Sequence, residues 1–141
     1  MLTKMTTARK MAVAADTAWQ AIRTAERLDV WFQGISSCIV EGEGVGAVRR
    51  LTLEIGGNIT DNIIDIVPAK RRLVYQRIES PFPVHSYRGT VEVFESYDSL
   101  AVVAWTVDFE SEAKDSEPVA ELLRTGISAG LEGMEQDLAS G

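Results

Sequence analysis

His85 is the chain's one histidine and Cys38 its one cysteine, so the residues able to do chemistry are few and can be weighed singly. An imidazole titrates near neutrality and suits general acid or base work. His85 closes the run Pro81-Phe82-Pro83-Val84-His85, where two prolines forbid a sheet ladder and force a loop with exposed hydrophobes. No second group at fixed spacing supports catalysis there, and a solvated loop histidine is the plainer reading. Cys38 lies in a strand-like run without a neighbouring base, which fits a buried, inert thiol better than a nucleophile. A lone cysteine excludes an internal disulfide, and with a single histidine it leaves no cluster of zinc or iron-sulfur spacing. Neither a metal nor a cofactor is therefore expected.

Arg49 carries more information. Over 47–55 the alternation places Arg49 on one face with Leu51, Leu53 and Ile55, opposite Val48, Arg50, Thr52 and Glu54, so a guanidinium points inward. There it either anchors a ligand carboxylate or phenolate in a two-pronged contact or pairs with a buried carboxylate of the chain. Asp61 is the candidate partner. Over 58–67, Ile59, Asp61 and Ile63 share one face and Thr60, Asn62 and Ile64 the other; an odd-length turn around Gly56-Gly57 matches the apolar faces and sets Asp61 beside Arg49. The structural pair is the slightly simpler of the two readings. Tyr75 and Tyr87 add hydroxyls that either reach a ligand or are satisfied locally in the core.

The elements that position these residues follow from the periodicity. A mixed stretch, Thr3 to Val13, reads as a first strand. Asp16 then caps a helix whose Ala18, Trp19 and Ile22 form an apolar stripe, and a second short helix runs from Glu26 to Phe32 and ends at Gly34. Ile22, Leu28, Trp31 and Phe32 would close one end of the core. Period two takes over afterwards, in runs 35–41, 47–55, 58–67, 71–80, 87–95 and 100–110 punctuated by Gly42, Gly44, Gly46, Gly56-Gly57 and Pro68. The last run is the strongest, with Ala101, Val103, Trp105, Val107 and Phe109 all on one face.

An acidic linker, Glu110 to Asp115, leads to a long helix predicted over Ser116 to Leu138. Ser116 is its N-cap, Pro118 sits in its first turn, and Val119, Leu123, Ile127, Leu131, Met134 and Leu138 recur at helical spacing. Gly126, Gly130 and Gly133 flank this apolar face, each at a cost of up to about 1 kcal/mol against Ala. They either let a sheet approach closely or leave volume for a ligand between helix and sheet. A meander with only one long amphipathic helix to cover it gives an α+β arrangement in which a curved sheet wraps that helix, and such a grip leaves a cavity.

Composition narrows the partners. At 141 residues the chain is read as one domain with one core, ordinary for its 45% hydrophobic and 25% charged residues. The net charge of −7 argues against nucleic acid and anionic membrane surfaces. The short apolar patch Met11 to Ala15 is no signal peptide, and no apolar run is long enough to span a bilayer, so the chain is read as cytoplasmic without stable membrane insertion.

Asp16 and Trp19 in the first helix, Trp31 in the second, the spacing of Gly42, Gly46 and Arg49, Pro68 ahead of Leu73 and Tyr75, and Trp105 in the last strand carry a resemblance over nearly the whole chain. In their order they resemble the polyketide cyclase/dehydrase and lipid-transport family of the START-like, or birch-pollen-allergen-like, helix-grip superfamily (SRPBCC). The resemblance implies a seven-stranded antiparallel sheet around the final helix, enclosing a hydrophobic ligand cavity flanked by strand-connecting loops. In the superfamily's plant abscisic-acid receptors two such loops act as gate and latch; the similar positions here are Gly56-Gly57 and Phe82 to His85, but both depart in sequence, and hormone sensing does not carry over.

Three functions follow. The first is binding or transport of a hydrophobic small molecule such as a lipid, polyketide or aromatic. The cavity would be lined by Trp31, Phe32, Arg49, Leu51, Leu53, Asp61, Tyr75, Phe82, His85, Tyr87, Trp105, Leu123, Ile127, Gly130 and Leu131. The second is a polyketide cyclase or aromatase, in which Arg49, His85 and a tyrosine polarise carbonyls and move protons. The third is a protein-interaction module like the superfamily's chaperone-ATPase activators. Pro81 to Val84 also suits a contact between two copies of the chain. Binding ranks first, since the enzyme reading needs a constellation the sequence does not display.

Overall fold

Period-two alternation builds a single antiparallel sheet in the computed structural model, which describes residues 1–140. The chain runs through β1 (Leu2–Ala14), α1 (Ala15–Ile22), α2 (Leu28–Trp31), β2 (Ile35–Glu41), β3 (Val48–Leu53), β4 (Asn58–Val67), β5 (Arg72–Glu79), β6 (Ser86–Glu95), β7 (Leu100–Glu110) and α3 (Ala113–Ser140). Six strands form the meander and β1 adds beside the last of them, giving the order β1-β7-β6-β5-β4-β3-β2. The seven strands curl into a half-barrel gripped around α3, an α+β helix-grip fold. No helix among the described residues is long and apolar enough to cross a membrane.

The inward face of β7 is wholly buried, from Ala101 to Phe109 in alternation, and α3 lays Val119, Leu123, Ile127, Leu131 and Met134 over the concave side. Helix α3 lies against β1, β7 and α2. Polar contacts pin its two ends. Thr3 and Ser116 share a hydroxyl hydrogen bond of 2.8 Å. Glu135 accepts from Arg9 Nε at 2.8 Å and from the Ala12 amide at 2.7 Å, and Asp137 accepts from the Arg27 fork and from Trp31 Nε1.

Several boundaries differ from the sequence reading. Helix α3 starts at Ala113, with Asp115 in its first turn, so Ser116 is a buried partner of Thr3 rather than an N-cap, and Pro118 lies inside the helix. Helix α1 starts at Ala15, which leaves Asp16 in the first turn without a capping bond. Helix α2 is only one turn, because Ala25 and Arg27 adopt left-handed backbone just before it. Strand β3 stops at Leu53, and Ile55 sits in the following turn, 86% exposed. The turn places Thr52 opposite Asn58, the odd-length case, so Arg49 stands directly opposite Asp61.

The helix glycines divide between the two readings. A Cβ at Gly130 would come within 2.1 Å of the Phe32 ring, and one at Gly133 within 2.3 Å of the Trp31 carbonyl oxygen. These two permit close approach of α2 and Phe32, not of a strand as the sequence suggested. A Cβ at Gly126 would meet nothing within 4 Å.

Candidate functional site

Between α2, the inner ends of the central strands and α3 lies a pocket of about 780 Å³. Its buried wall is aromatic. Trp105 meets Phe32 edge-on at 5.5 Å between centroids and Tyr75 at 6.3 Å, and Trp105 Nε1 donates to Tyr75 Oη at 3.0 Å. Gly89 makes room for this arrangement, because a Cβ there would lie 2.0 Å from Tyr75 Cζ. The solvent end is apolar as well: Val30, Ile55 and Leu122 line the pocket and are 50%, 86% and 53% exposed.

Trp31, Phe32, Leu53, Tyr75, Phe82, Tyr87, Trp105, Leu123, Ile127 and Gly130 line this pocket, whereas Arg49, Leu51, Asp61, His85 and Leu131 stand outside its lining. Leu51 and Leu131 are buried in the core beside it. His85 is on the surface, its Nε2 3.0 Å from Glu112 Oε2, with 60% of its side chain exposed. The reason is local. Alternation persists through the proline loop, so Phe82 and Val84 pack against the core while Pro81, Pro83 and His85 face out. The loop is thus less exposed in its hydrophobes than its composition suggests. Gly57 and Pro81 are neighbours, an added Cβ at 57 falling 3.4 Å from Pro81 Cγ, and Ile55 and Phe82 from these two loops both line the pocket.

Antiparallel pairing draws the polar residues into one row across the concave face. Arg49 is opposite Asp61, Asp61 opposite Arg77, Arg77 opposite Tyr87, and Tyr87 opposite Phe109. Asp61 Oδ2 accepts from Arg49 Nε at 3.1 Å and Nη2 at 2.9 Å, while its Oδ1 accepts from Arg77 Nε at 2.8 Å. Arg49 Nη1 donates to the Ala25 carbonyl at 3.2 Å, which the left-handed backbone of Ala25 turns inward. Tyrosine faces cover the cations: Arg77 lies 4.4 Å from the Tyr87 centroid and Arg49 4.6 Å from that of Tyr75.

Burial alone would lift the Asp61 pKa, but the guanidiniums of Arg77 and Arg49 outweigh it and hold this carboxyl below the usual range. For Arg77, burial opposes the charge, yet its contacts with Tyr87, Asp61 and Tyr75 more than offset that and the pKa is raised. Burial pushes the Tyr87 phenol well above its ordinary value, so it stays a neutral donor at physiological pH. Burial likewise raises the Cys38 thiol, which lies 3.9 Å from the Ala25 carbonyl and outside the pocket lining.

Arg77 is the residue the sequence reading missed. Its signal was present: Leu73 and Tyr75 define the inward face of β5, and one more step of period two arrives at 77. Among the described residues no group of three or more His, Cys, Asp or Glu side chains is arranged to hold a metal ion.

Comparison with known proteins agrees with this architecture. A family model described as polyketide cyclase/dehydrase and lipid transport matches residues 3–139. The chain is similar to the structure of an uncharacterized protein from Bacillus thuringiensis, with TM-score 0.86, 25% identity, and 97% of this chain and 99% of that one covered. It is similar to the protein XoxI from Bacillus cereus, with TM-score 0.85, 26% identity and coverage of 96% and 95%. Norcoclaurine synthase from Thalictrum flavum shares the fold, with TM-score 0.82, 17% identity and coverage of 100% and 88%. No curated protein matches the chain.

Proposed function

We propose that this chain, which belongs to the polyketide cyclase/dehydrase and lipid transport family, binds a hydrophobic small molecule in the pocket between its sheet and α3. The observation that carries the reading is the pocket itself: about 780 Å³, within the roughly 300–1,000 Å³ usual for small-molecule sites, with an aromatic wall and few polar groups. An apolar molecule moving there from water would remove both its own surface and that of Phe32, Ile55 and Leu122 from solvent. The exposed Val30, Ile55 and Leu122 at the solvent end give such a molecule an apolar way in.

Binding is preferred to cyclase chemistry because His85, the acid–base group that reading leans on, stands outside the lining and against Glu112. The similarity to norcoclaurine synthase bears on fold alone. Native mass spectrometry before and after solvent extraction, with titration of a neutral apolar fluorophore, tests the proposal. A discrete small mass that leaves on extraction, or saturable binding of the fluorophore, supports it. An empty protein that also fails to bind the fluorophore overturns it.

A further inference from the structure

The row Arg49–Asp61–Arg77 holds two guanidiniums and a single carboxylate, and their side chains are 2%, 0% and 8% exposed. No other carboxylate among the described residues pairs with either arginine. Glu79, the nearest acid along β5, is turned to the other face and accepts from Thr60. Glu132 and Asp137 line the pocket from α3, but Asp137 is occupied by Arg27 and Trp31. The cluster therefore carries one uncompensated positive charge in a buried setting, an expensive arrangement that tyrosine faces relieve but do not neutralise.

The donors show where that charge is available. Asp61 takes both Nε and Nη2 of Arg49 and both Nε and Nη2 of Arg77, and the Ala25 carbonyl takes Arg49 Nη1. Arg77 Nη1 alone is left without an acceptor among the described residues, and Arg77, unlike Arg49, is part of the pocket lining. Tyr87, buried beside it in the same lining, sets its hydroxyl next to that of Tyr75, from where its proton can turn to an anion at Arg77.

We infer that the buried end of the pocket is an anion subsite, at which Arg77 Nη1 and the Tyr87 hydroxyl receive the carboxylate of an otherwise apolar ligand. The ligand class is thus an amphipathic carboxylic acid, held head-inward, with its apolar body against Trp105, Phe32 and Ile127 and its tail toward Ile55 and Leu122. Head-inward binding follows from charge: an anion placed at the solvent end would meet Glu132, and one at the buried end meets the Arg77 guanidinium. This rests on the binding function proposed above and assigns its polarity.

The test is displacement of neutral N-phenyl-1-naphthylamine by three probes with the same chain: dodecanoate, dodecanol and dodecylammonium. The carboxylate should bind about tenfold or more tightly than the alcohol, as a charge-assisted contact in a dry site implies, and the ammonium more weakly than either. Arg77→Gln leaves Arg49 and Asp61 as a neutral pair, so it should fold, retain the alcohol and lose the carboxylate preference; Arg77→Lys should keep part of it. Tyr87→Phe should reduce the preference several-fold with the ring retained. Equal binding of carboxylate and alcohol by the wild-type chain overturns the anion subsite while leaving the pocket reading intact, and that comparison needs no variant to fold. If the protein releases no small mass on extraction and the fluorophore does not bind either, both readings fall.

Discussion

The ring of Tyr75 occupies the space that a side chain at Gly89 would fill: an added Cβ would lie 2.0 Å from Tyr75 Cζ and 2.3 Å from its hydroxyl. The two residues are paired across β5 and β6, so glycine on one strand lets the other project a tyrosine flat along the sheet, within reach of Trp105. Gly89→Ala is expected to push the ring off Trp105 and out of its packing, at a cost of roughly 1–3 kcal/mol as for other overpacked cores. Thermal denaturation checks this, and an unchanged melting temperature would show that Tyr75 has an alternative place.

The buried ion cluster should respond unevenly to the loss of its members. Asp61→Asn strands two guanidiniums without a counter-charge and is expected to destabilise by about 3–5 kcal/mol, whereas Arg77→Gln leaves a matched pair and should cost clearly less. Urea unfolding of both variants decides it. Equal losses would mean that the two arginines do not share Asp61 as described.

The same carboxylate sets an acid limit. Its folded pKa is depressed below the unfolded value of about 3.9, so its contribution to stability is present at neutral pH and is lost as pH falls through the folded pKa. The stability gap between wild type and Asp61→Asn should accordingly be widest at neutral pH and narrow below about pH 4. Denaturation midpoints across pH 3 to 7 read this directly, and a gap independent of pH would contradict it.

Three glycines on one helix should give opposite results. Gly126→Leu adds bulk where a Cβ meets nothing within 4 Å and gains up to about 1 kcal/mol of helix propensity, so it should fill the pocket, keep or raise the melting temperature and weaken fluorophore binding at least tenfold. Gly130→Ala and Gly133→Ala instead drive a methyl into the Phe32 ring and the Trp31 carbonyl, and should lower stability by roughly 1–3 kcal/mol. Melting temperatures and a binding titration on the three variants suffice.

What the sequence by itself determined was whatever depends on period. The inward faces of β3, β5, β6 and β7, the stripe on α3, the inward Arg49 and the order of elements all follow from alternation that neighbours in the chain carry. Ends of elements were less legible, because Ala25, Arg27 and Arg71 adopt left-handed backbone without the glycine that usually signals it, and Ser116 bonds to Thr3, distant in sequence, rather than to its own helix. Within the site, the Arg49–Asp61 pairing was legible from the odd-length turn around Gly56-Gly57, and tertiary structure decided the rest of the polar row. Only the register of four strands brings Arg49, Asp61, Arg77 and Tyr87 into one row, and a register is a relation between segments that no single segment encodes. Likewise, Gly126 and Gly130 are four residues apart on one helix, and it is the position of Phe32 against α3 that makes one a contact and leaves the other open to the pocket.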